Sequence, residues 1–402
     1  MILKGKVKSG MNDLSQRMEQ LESYYTKKTG MKLFPGSLNI ELEEEFIIDT
    51  NNAIRLEKEE YGGTVSVSIL PCSIFNRTAF IIRTDKNNEG MGHHPRNIIE
   101  VATDIKLRDA FNLVDGDTVE VEVMRYIHSG KLGDIWKHLP LCDILLTEQP
   151  KRYLETNSAR AKYNIFENAS LSYGIYGFYK NCSNSTVRSS KYFDILTEIG
   201  LIEKNIYYGS PALAMETLKN TSSYYFCDLE KSSLENIEKF ADENNINEVK
   251  VVCEDSIKHY LNNDLELGMN DLTLIDPFNP FDLNSDGESF FTIIEKYCSA
   301  TKILLWYGYD SSNERNEIHN KLNQIAKANK VKMFLYDIYL SDIDEHQREL
   351  NPSVPGCGLC AINLSEVSIS ILGKYLKAVG EYYESQDFED QVISLSTMYK
   401  EL

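Results

Sequence analysis

The chain has 402 residues, of which 42% are hydrophobic and 26% charged, an ordinary globular composition that allows sizeable cores in two or three domains. Its net charge of −19 disfavours a nucleic-acid backbone as partner without excluding a local basic patch. The charged start M-I-L-K-G-K-V is unlike a signal peptide, and no apolar run approaches the ~20 residues of a membrane span. We therefore expect a cytoplasmic protein with no membrane partner.

Residues 1–126 consist of short runs in which apolar and polar residues alternate, a pattern that predicts β-strands. The strands are predicted at 3–7, 38–42, 64–69, 79–84 and 118–124. One helix is predicted over 14–28 and a short one near Leu107. Short strands with few helices predict a small closed β-barrel as the first domain.

Two motifs in this domain carry a resemblance. F-P-G-S-L-N-I-E-L begins at Phe34, and I-I-E-V-A-T-D-I-K-L-R-D-A-F-N-L-V-D-G-D begins at Ile98. In sequence and order they resemble the archaeal-type CTP-dependent riboflavin kinases, which are compact barrels. The resemblance implies CTP and riboflavin as ligands, Mg²⁺ as metal and FMN as product.

The resemblance also implies roles for individual residues. Ser37 and Asn39 would bind Mg²⁺, which prefers hard oxygen ligands. Glu100 would engage the flavin and the acceptor hydroxyl. The residues implied to hold the nucleotide are Gly10, Ile105, Lys106, Leu107 and Arg108.

Two departures from the family concern the ligands directly. The glycine-rich phosphate loop reads S-G-M-N-D-L-S-Q, so that only Gly10 remains, and Gly92 stands where the family has a threonine. Phosphoryl transfer depends on positioning, so a changed phosphate loop matters. An active kinase, a barrel that only binds a nucleotide or flavin, and a module that docks a protein partner all remain open.

From 127 to 402, apolar strand-like runs alternate with helical stretches. Strands are predicted at Tyr153 and at 224–229, 249–253, 272–276, 302–306, 332–336 and 358–362, with helices at 234–245 and 314–329 and a solvated helix in the tail from 382. This alternation predicts an α/β domain with a doubly wound, Rossmann-type sheet covered on both faces. The one C-x-x-C pair, Cys357 and Cys360, lacks the second pair of a zinc site and is predicted to be buried.

Acidic residues follow the first four of these strands, at Glu155, Asp228, Asp255 and Asp276. Ligands of such sheets bind beyond the carboxyl ends of the strands. A carboxylate after the second strand suits ribose hydroxyls, because it accepts two hydrogen bonds. An Asp-Pro-aromatic step after the fourth strand suits an amine held near a methyl donor, with an aromatic ring that could stack on a base. The layout resembles the class I S-adenosylmethionine methyltransferases.

The motif H-S-G-K-L-G-D-I-W-K-H at 128–138 opens a series that ends near residue 380. In order, the series resembles the bacterial 23S rRNA adenine-N6 methyltransferase family, and its D-P-F step is similar to the related three-cysteine-motif partner proteins. The resemblance implies that S-adenosylmethionine contacts His138, Asn157, Ser210, Asp228, Asp255 and Ser256. Asn157 replaces a histidine of the family, and Ser256 replaces a glycine. The catalytic residues would be those of the Asp-Pro-aromatic motif, Asp276, Pro277 and Phe278.

The main departure is the first glycine motif, D-T-H-A-G-A-G in the family and E-T-N-S-A-R-A at 155–161 here. Alanine and arginine side chains would crowd the methionine portion of the cofactor. The leading hypothesis is methyl transfer to an amine of a nucleotide or nucleobase-containing substrate. The alternatives are a CTP-dependent riboflavin kinase and a non-catalytic protein that senses a nucleotide or binds a protein partner.

Overall fold

The computed structural model describes residues 2–10, 14–50, 53–75, 77–92, 94–123, 129–165, 169–263, 265–277, 279–341, 355–384, 387–388, 391–392 and 394–402. The chain divides into two compact units, Met1–His128 with Asn164–Ala169, and Ser129–Tyr163 with Ser170–Leu402. Each unit has its own hydrophobic core. Within the described ranges, every helix is too short or too polar to cross a bilayer.

The first unit contains a single sheet of seven strands. They are β1 (Ile2–Lys8), β2 (Leu38–Leu42), β3 (Ile54–Leu56), β4 (Val67–Ile74), β5 (Arg77–Thr84), β6 (Ile98–Ala102) and β7 (Thr118–Val123). Their order is β3-β4-β5-β6-β2-β1-β7, and β4 also pairs with β7. That additional pairing closes six antiparallel strands into a barrel, with β3 outside it. The predicted small barrel is confirmed.

Alternation along the strands fills the barrel. In β7, Val119, Val121 and Val123 are buried, whereas Thr118 and Glu120 are exposed. Five short helices lie between the strands: α1 (Leu14–Gln20), α2 (Glu22–Thr29), α3 (Lys58–Tyr61), α4 (Asp85–Asn88) and α5 (Leu107–Ala110). The helix predicted over 14–28 is thus two helices, separated at Leu21. They cover a second, smaller core that includes Met18 and Tyr25.

The second unit is built on a sheet of eight strands. They are β8 (Arg152–Glu155), β11 (Ser223–Asp228), β12 (Val249–Cys253), β13 (Asp271–Ile275), β14 (Lys302–Tyr309), β15 (Met333–Ser341), β16 (Gly356–Ile362) and β19 (Ser394–Glu401). Two small pairs lie outside it, β9 (Lys162–Asn164) with β10 (Ile206–Tyr208), and β17 (Asp387–Phe388) with β18 (Gln391–Val392).

The sheet order is β12-β11-β8-β13-β14-β16-β15-β19. The first five strands are parallel, and β16 runs antiparallel to both of its neighbours. The chain therefore builds the sheet outward from β8 in one direction and then from β13 in the other. The predicted doubly wound Rossmann-type sheet is confirmed, and the strand order reverses between β8 and β13.

Helices cover this sheet. They are α6 (Leu132–Glu148), α7 (Ala169–Tyr173), α8 (Ile175–Asn181), α9 (Ser185–Arg188), α10 (Lys191–Ile199), α11 (Leu201–Lys204), α12 (Ser210–Leu218), α13 (Lys231–Glu243), α14 (Ser256–Asn262), α15 (Phe290–Tyr297), α16 (Ser312–Asn329) and α17 (Glu366–Glu384). One core joins α14, α15 and α16 to the sheet. Helix α6 packs against α10, α12 and α17 and is buried along most of its length. It therefore carries Lys137 and His138 into the interior.

Two predictions for the end of the chain have opposite outcomes. Cys357 and Cys360 lie in β16 and are buried, as predicted. The solvated helix predicted for the tail is wrong, because α17 ends at Glu384 and β19 follows as a strand. β19 pairs antiparallel with β15 along its whole length. The backbone hydrogen bonds offered by β15 decide the conformation of a segment whose own pattern is weak.

Candidate functional sites

The barrel contains a cavity of about 1230 Å³. Every residue that the sequence predicted for the barrel site lines it: Gly10, Ser37, Asn39, Glu100, Ile105, Lys106, Leu107 and Arg108. They come from the residues after β1, the start of β2, the middle of β6 and the turn into α5. A volume above the usual ~300–1,000 Å³ of a small-molecule pocket has room for two ligands side by side.

Strand pairing brings the polar groups of this cavity together. Asn39 of β2 lies directly opposite Glu100 of β6, so their side chains share one face of the sheet. The Ser37 hydroxyl lies near the Glu100 carboxyl and acts to lower the pKa of that group. Asn39 is buried, and its Oδ1 has no hydrogen-bond partner among the residues that the structure describes. Ser37, Asn39 and Glu100 thus form a small group of oxygen ligands with one buried acceptor still open.

This group fits Mg²⁺, which takes a few protein oxygens together with waters and substrate phosphates. Within the described ranges, no cluster of three or more His, Cys, Asp or Glu side chains stands ready to hold a metal ion. The metal would therefore depend on Ser37, Asn39 and the phosphates of its ligand rather than on a ring of carboxylates.

The electrostatics of the cavity centre on Glu100. Burial raises the pKa of Glu100 to about 7, against the opposing effects of the Arg83 charge and the Ser37 hydroxyl. Arg83 is itself buried, and it donates to the carbonyls of Arg96 and Ile98 at 3.2 and 2.7 Å. The His94 Nε2 atom lies 3.8 Å from Glu100 Oε1, and burial lowers the pKa of His94. Glu100 therefore exchanges its proton near neutral pH, beside a neutral imidazole.

The nucleotide-side residues are held by exposed contacts. Arg108 donates to the Lys8 carbonyl at 2.8 Å and to Asp115 at 2.7 Å, and Lys106 pairs with Asp109 at 2.9 Å. Exposed ion pairs of this kind contribute little stability, so both cations can turn toward a phosphate at small cost. A Cβ atom on Gly10 would lie 2.6 Å from Asn39 Nδ2, so a side chain there would displace the Asn39 amide.

Sequence reasoning missed several polar residues of the same cavity wall. Arg17 of α1 and Lys86 and Asn87 of α4 line the cavity together with the predicted residues. Each is a polar residue in a short helix, and a polar residue there predicts only that its side chain is exposed to solvent. Only the folded barrel brings them to the ligand space.

The second unit has a much smaller cavity, of about 40 Å³, at the carboxyl ends of β8 and β13. Three predicted residues line it, His138, Ser210 and Asp276, and a further predicted motif position, Ala159, does so as well. This is the point where the strand order reverses, the place where such sheets bind ligands. A cavity of this size holds only about three water molecules. A nucleoside cofactor therefore needs side chains to move.

The predicted catalytic residue, Asp276, belongs to a buried ion-pair network. Lys137 Nζ lies 2.5 Å from Asp276 Oδ2 and 3.1 Å from Asp134 Oδ1. Burial raises the pKa of Asp276, and the positive charge of Lys137 opposes that rise. Although burial disfavours a charged amine, the charges of Asp276 and Asp134 raise the pKa of Lys137. Lys137 was not predicted, although it adjoins His138 in the motif.

His138 is a neutral side chain with one open nitrogen. Burial lowers its pKa to about 3. Its Nδ1 atom lies 2.7 Å from the Tyr207 hydroxyl, which lies 3.0 Å from that of Tyr192. Its Nε2 atom is buried and has no partner in the described part of the chain. The ring lines the cavity as a hydrogen-bonding group rather than as a cation.

The turn at 158–161 stands in place of the family's glycine motif, and its backbone amides already donate hydrogen bonds within the protein. Ser158 N donates to the Cys227 carbonyl at 3.1 Å, and Ala159 N donates to Asp228 Oδ2 at 2.8 Å. Arg160 N donates to the Tyr163 hydroxyl at 3.1 Å. Ala159 keeps a left-handed backbone, with φ of 50°. These three donors are therefore not free for a methionine carboxylate in this conformation.

The remaining predicted cofactor residues lie outside the cavity lining. Asp228 accepts from the amides of Ala159 and Glu230, each at 2.8 Å, and Asp255 caps α14 by accepting from Lys258 N at 3.0 Å. Ser256 is the buried first residue of α14. Asn157 has a buried Oδ1 atom with no partner among the described residues.

Of the predicted catalytic step, Pro277 is buried directly after Asp276, and Phe278 lies outside the described residues. Ser210, which lines the cavity, donates to Glu155 at 2.9 Å, and Tyr153 donates to the other carboxyl oxygen of Glu155 at 2.7 Å. Burial raises the pKa of Glu155 to about 8, against these two hydrogen bonds. Glu155 is therefore an internal, largely neutral acid and is not available to a ligand.

Taken together, the donors and acceptors of this unit fit the nucleoside part of S-adenosylmethionine. Asp228 and Asp255 follow neighbouring parallel strands, and each carboxylate oxygen has a second lone pair for a hydroxyl or amine donor. The buried His138 Nε2 and Asn157 Oδ1 atoms are open polar positions. The cavity of about 40 Å³ is too small for the whole cofactor, so side chains around it must move before it binds.

Comparison with known proteins bears first on the barrel. Residues 7–123 match the CTP-dependent riboflavin kinase family model, described as domain of unknown function DUF120. The riboflavin kinase of Methanocella arvoryzae is 34% identical over 128 residues, covering 30% of this chain and 56% of that protein. That of Staphylothermus marinus is 29% identical over 120 residues, covering 30% of this chain and 88% of that protein. The chain thus spans about half the length of the Methanocella relative.

For the C-terminal region, solved structures give the similarity. Protein LPL1258 from Legionella pneumophila has a TM-score of 0.54 at 22% identity and covers 68% of this chain and 98% of its own. At that identity the likeness concerns the fold alone. An S-adenosylmethionine-dependent methyltransferase from Agrobacterium tumefaciens has a TM-score of 0.29 at 12% identity and covers 51% of this chain and 54% of its own. The neighbours of the C-terminal region thus include methyltransferase structures.

Proposed function

We propose that this chain, whose residues 7–123 match the CTP-dependent riboflavin kinase family, is a cytoplasmic two-site transferase. Its domain at 127–402 transfers a methyl group from S-adenosylmethionine to an amine of a nucleotide or nucleobase-containing substrate. Its barrel domain at 1–126 binds a nucleotide and a flavin. The acceptor is a small molecule rather than a nucleic acid, because a net charge of −19 repels a phosphate backbone.

One observation carries the methyltransferase part. Asp276, at the carboxyl end of β13, shares a cavity with His138 and Ser210 where the strand order reverses. The three come from three separate elements, and each was predicted from its own motif. A ligand in this position meets a carboxylate, a neutral imidazole and a hydroxyl.

S-adenosylmethionine, when bound, supplies a methyl group on a positively charged sulfur, so that the protein mainly has to align the acceptor. Asp276 accepts a hydrogen bond from the acceptor amine, and the carbonyls near Pro277 orient the same group. Lys137 takes one acceptor position on Oδ2, and an ionised carboxylate has further acceptor positions for the amine. Asp134 remains as a second acceptor for the Lys137 ammonium group. His138 contributes its open Nε2 atom as a fixed polar contact.

The deciding experiment is calorimetric titration of the full-length protein with S-adenosylmethionine. We expect binding by the wild type and loss of binding in Asp228→Ala. Asp242→Ala is the matched control, because Asp242 is an exposed aspartate of α13 in the same unit. Thermal melting of each variant separates loss of the ligand from loss of the fold. Absence of binding by the wild type overturns the methyltransferase proposal.

The catalytic assignment has its own test. Asp276→Ala should cut methyl transfer sharply while leaving the affinity for S-adenosylmethionine nearly unchanged, because Asp276 serves the acceptor rather than the cofactor. Equal turnover in wild type and variant would show that Asp276 is not the acceptor group.

A second function, CTP-dependent phosphorylation of riboflavin, is favoured by the lining of the barrel cavity. All eight residues implied by the kinase resemblance share that one space of about 1230 Å³. Ser37 and Asn39 would hold Mg²⁺, and Glu100 would receive the proton of the riboflavin hydroxyl. FMN formation from CTP and riboflavin by the full chain, and its loss in Glu100→Gln, test this function. A wild type that forms no FMN leaves the barrel as a binding domain.

A further inference from the structure

In the wall of the barrel cavity, the Asn87 side chain occupies the space in which a side chain of residue 92 would lie. An ideal Cβ atom on Gly92 would lie 1.7 Å from Asn87 Oδ1 and 2.8 Å from Asn87 Cγ. The backbone of Gly92 is outside the left-handed region, so conformation does not demand a glycine there. The close contact is with the end of the Asn87 side chain, so any side chain at residue 92 would displace the Asn87 amide from its position. Both residues line the ligand cavity.

Hydrogen bonds of the neighbouring residues hold the backbone at Asn87 in place. Helix α4 begins with Asp85, whose two carboxylate oxygens accept from the Arg55 guanidinium at 2.7 Å each. The Thr84 hydroxyl caps the helix by accepting from Asn87 N at 3.4 Å. The amides of Met91 and Gly92 donate to the Lys86 carbonyl at 2.8 and 2.9 Å. These hydrogen bonds within the turn therefore bring Gly92 back beside Asn87.

The Asn87 amide itself is available for a ligand. The side chain is half-buried, and no hydrogen-bond partner for it exists in the part of the chain that the structure describes. It lines the same cavity as Glu100 and His94. A carboxamide presents a donor and an acceptor side by side, which is the complement of an amide or imide edge on a planar ring. A water molecule can bind without a donor and an acceptor placed side by side.

We propose that Asn87 contacts the ligand of the barrel and selects a planar heterocycle with an amide or imide edge, and that Gly92 is glycine to leave room for that contact. The inference rests on the proposed binding of a flavin and a nucleotide by the barrel. Riboflavin has this edge at its pyrimidine-dione end, and the cytosine of CTP offers an equivalent donor–acceptor pair in its N4 amino group beside N3. Asn87 meets one of the two.

The experiment uses the full-length protein and four barrel variants, Asn87→Ala, Gly92→Ala, the double variant and Glu89→Ala. Riboflavin binding is followed by the change in flavin fluorescence, and CTP binding by calorimetry. Losing one neutral hydrogen-bonding contact should weaken the affinity for one ligand about 3- to 10-fold. Gly92→Ala should do the same, because its Cβ atom displaces the Asn87 side chain. The double variant should be no worse than Asn87→Ala.

The controls separate this inference from the function on which it rests. Glu89 is exposed and does not line the cavity, so Glu89→Ala should bind as the wild type does. Loss confined to riboflavin assigns the flavin edge to Asn87, and loss confined to CTP assigns the cytosine edge. Wild-type affinity for both ligands in Asn87→Ala, or weaker binding in Gly92→Ala alone, overturns the inference and leaves the barrel function standing. A wild type that binds neither ligand overturns both.

Discussion

Lys137 and Asp276 form a buried ion pair, with 2.5 Å between Nζ and Oδ2, and Asp134 lies on the other side of the same ammonium group at 3.1 Å. One cation therefore balances two carboxylates in the interior of the second unit. Removing one member of such a group costs more than the group contributes, because the remaining charges stay buried without compensation. The same three side chains line the proposed methyl-transfer cavity. Stability and chemistry thus depend on one network.

The first prediction concerns this network. Lys137→Met should lower the free energy of unfolding by about 3–5 kcal/mol, because it leaves Asp276 and Asp134 together without their cation. Urea unfolding followed by circular dichroism measures the change. Adding Asp276→Asn to Lys137→Met should restore part of the loss. A single variant as stable as the wild type would mean that the carboxylates take up protons at no cost.

The second prediction concerns Glu100 and the pH dependence of the barrel reaction. Burial raises the pKa of Glu100 to about 7, so the carboxylate that receives the hydroxyl proton is present only above that pH. The rate of FMN formation should rise as the pH increases through about 7. Glu100→Gln has no such group and should be slow at every pH. A wild-type rate that does not change between pH 6 and 8 would contradict the assignment of Glu100 as base.

The third prediction concerns the buried acid Glu155. Burial raises its pKa to about 8 from an ordinary value of 4.5, so its favourable contribution is complete below pH 4.5 and is lost as the pH rises through 8. Glu155→Gln, which keeps acceptor and donor atoms for Tyr153 and Ser210, avoids that loss. The variant should gain on the wild type in melting temperature between pH 5 and pH 8. Parallel melting curves at both pH values would show that Glu155 titrates normally.

The fourth prediction compares two glycines of the second unit. A Cβ atom on Gly209 would lie 2.3 Å from the Arg160 carbonyl oxygen, so Gly209→Ala must push the turn at 158–161 away from α12. The expected loss is about 1–3 kcal/mol. Gly373, inside α17, has its nearest neighbour 4.0 Å from such a Cβ atom, so Gly373→Ala should stabilise by about 0.5–1 kcal/mol. Chemical denaturation of both variants is the measurement, and equal effects would contradict it.

The barrel site was predictable because its residues follow one another in motifs that strand pairing then brings together. Asn39 and Glu100 are far apart in sequence, yet β2 and β6 pair them directly. Asn87 and Gly92 were beyond prediction. Their relationship depends on a space created by a missing side chain. The sequence marks Gly92 as a departure from the family but gives no sign of its contact with Asn87.

The site in the second unit was predictable in part. His138, Ser210 and Asp276 meet in one cavity. Asp228 and Asp255 do not line it, and both accept from backbone amides at the start of the following loop or helix. An aspartate after a strand and before a helix is favoured as a cap and as a ribose ligand alike, so the sequence alone does not separate the two roles.

The outermost strand of the second unit has a consequence for synthesis. β19 (Ser394–Glu401) pairs with β15 and comes after every other described strand of this sheet in chain order. The barrel strands are complete by Val123. At the usual ~5–20 residues per second, the barrel can close tens of seconds before the edge of β15 is covered. A nascent chain that stops before 394 has the largely apolar β15 as its edge strand in place of the more polar β19, and an apolar edge strand is a site of aggregation.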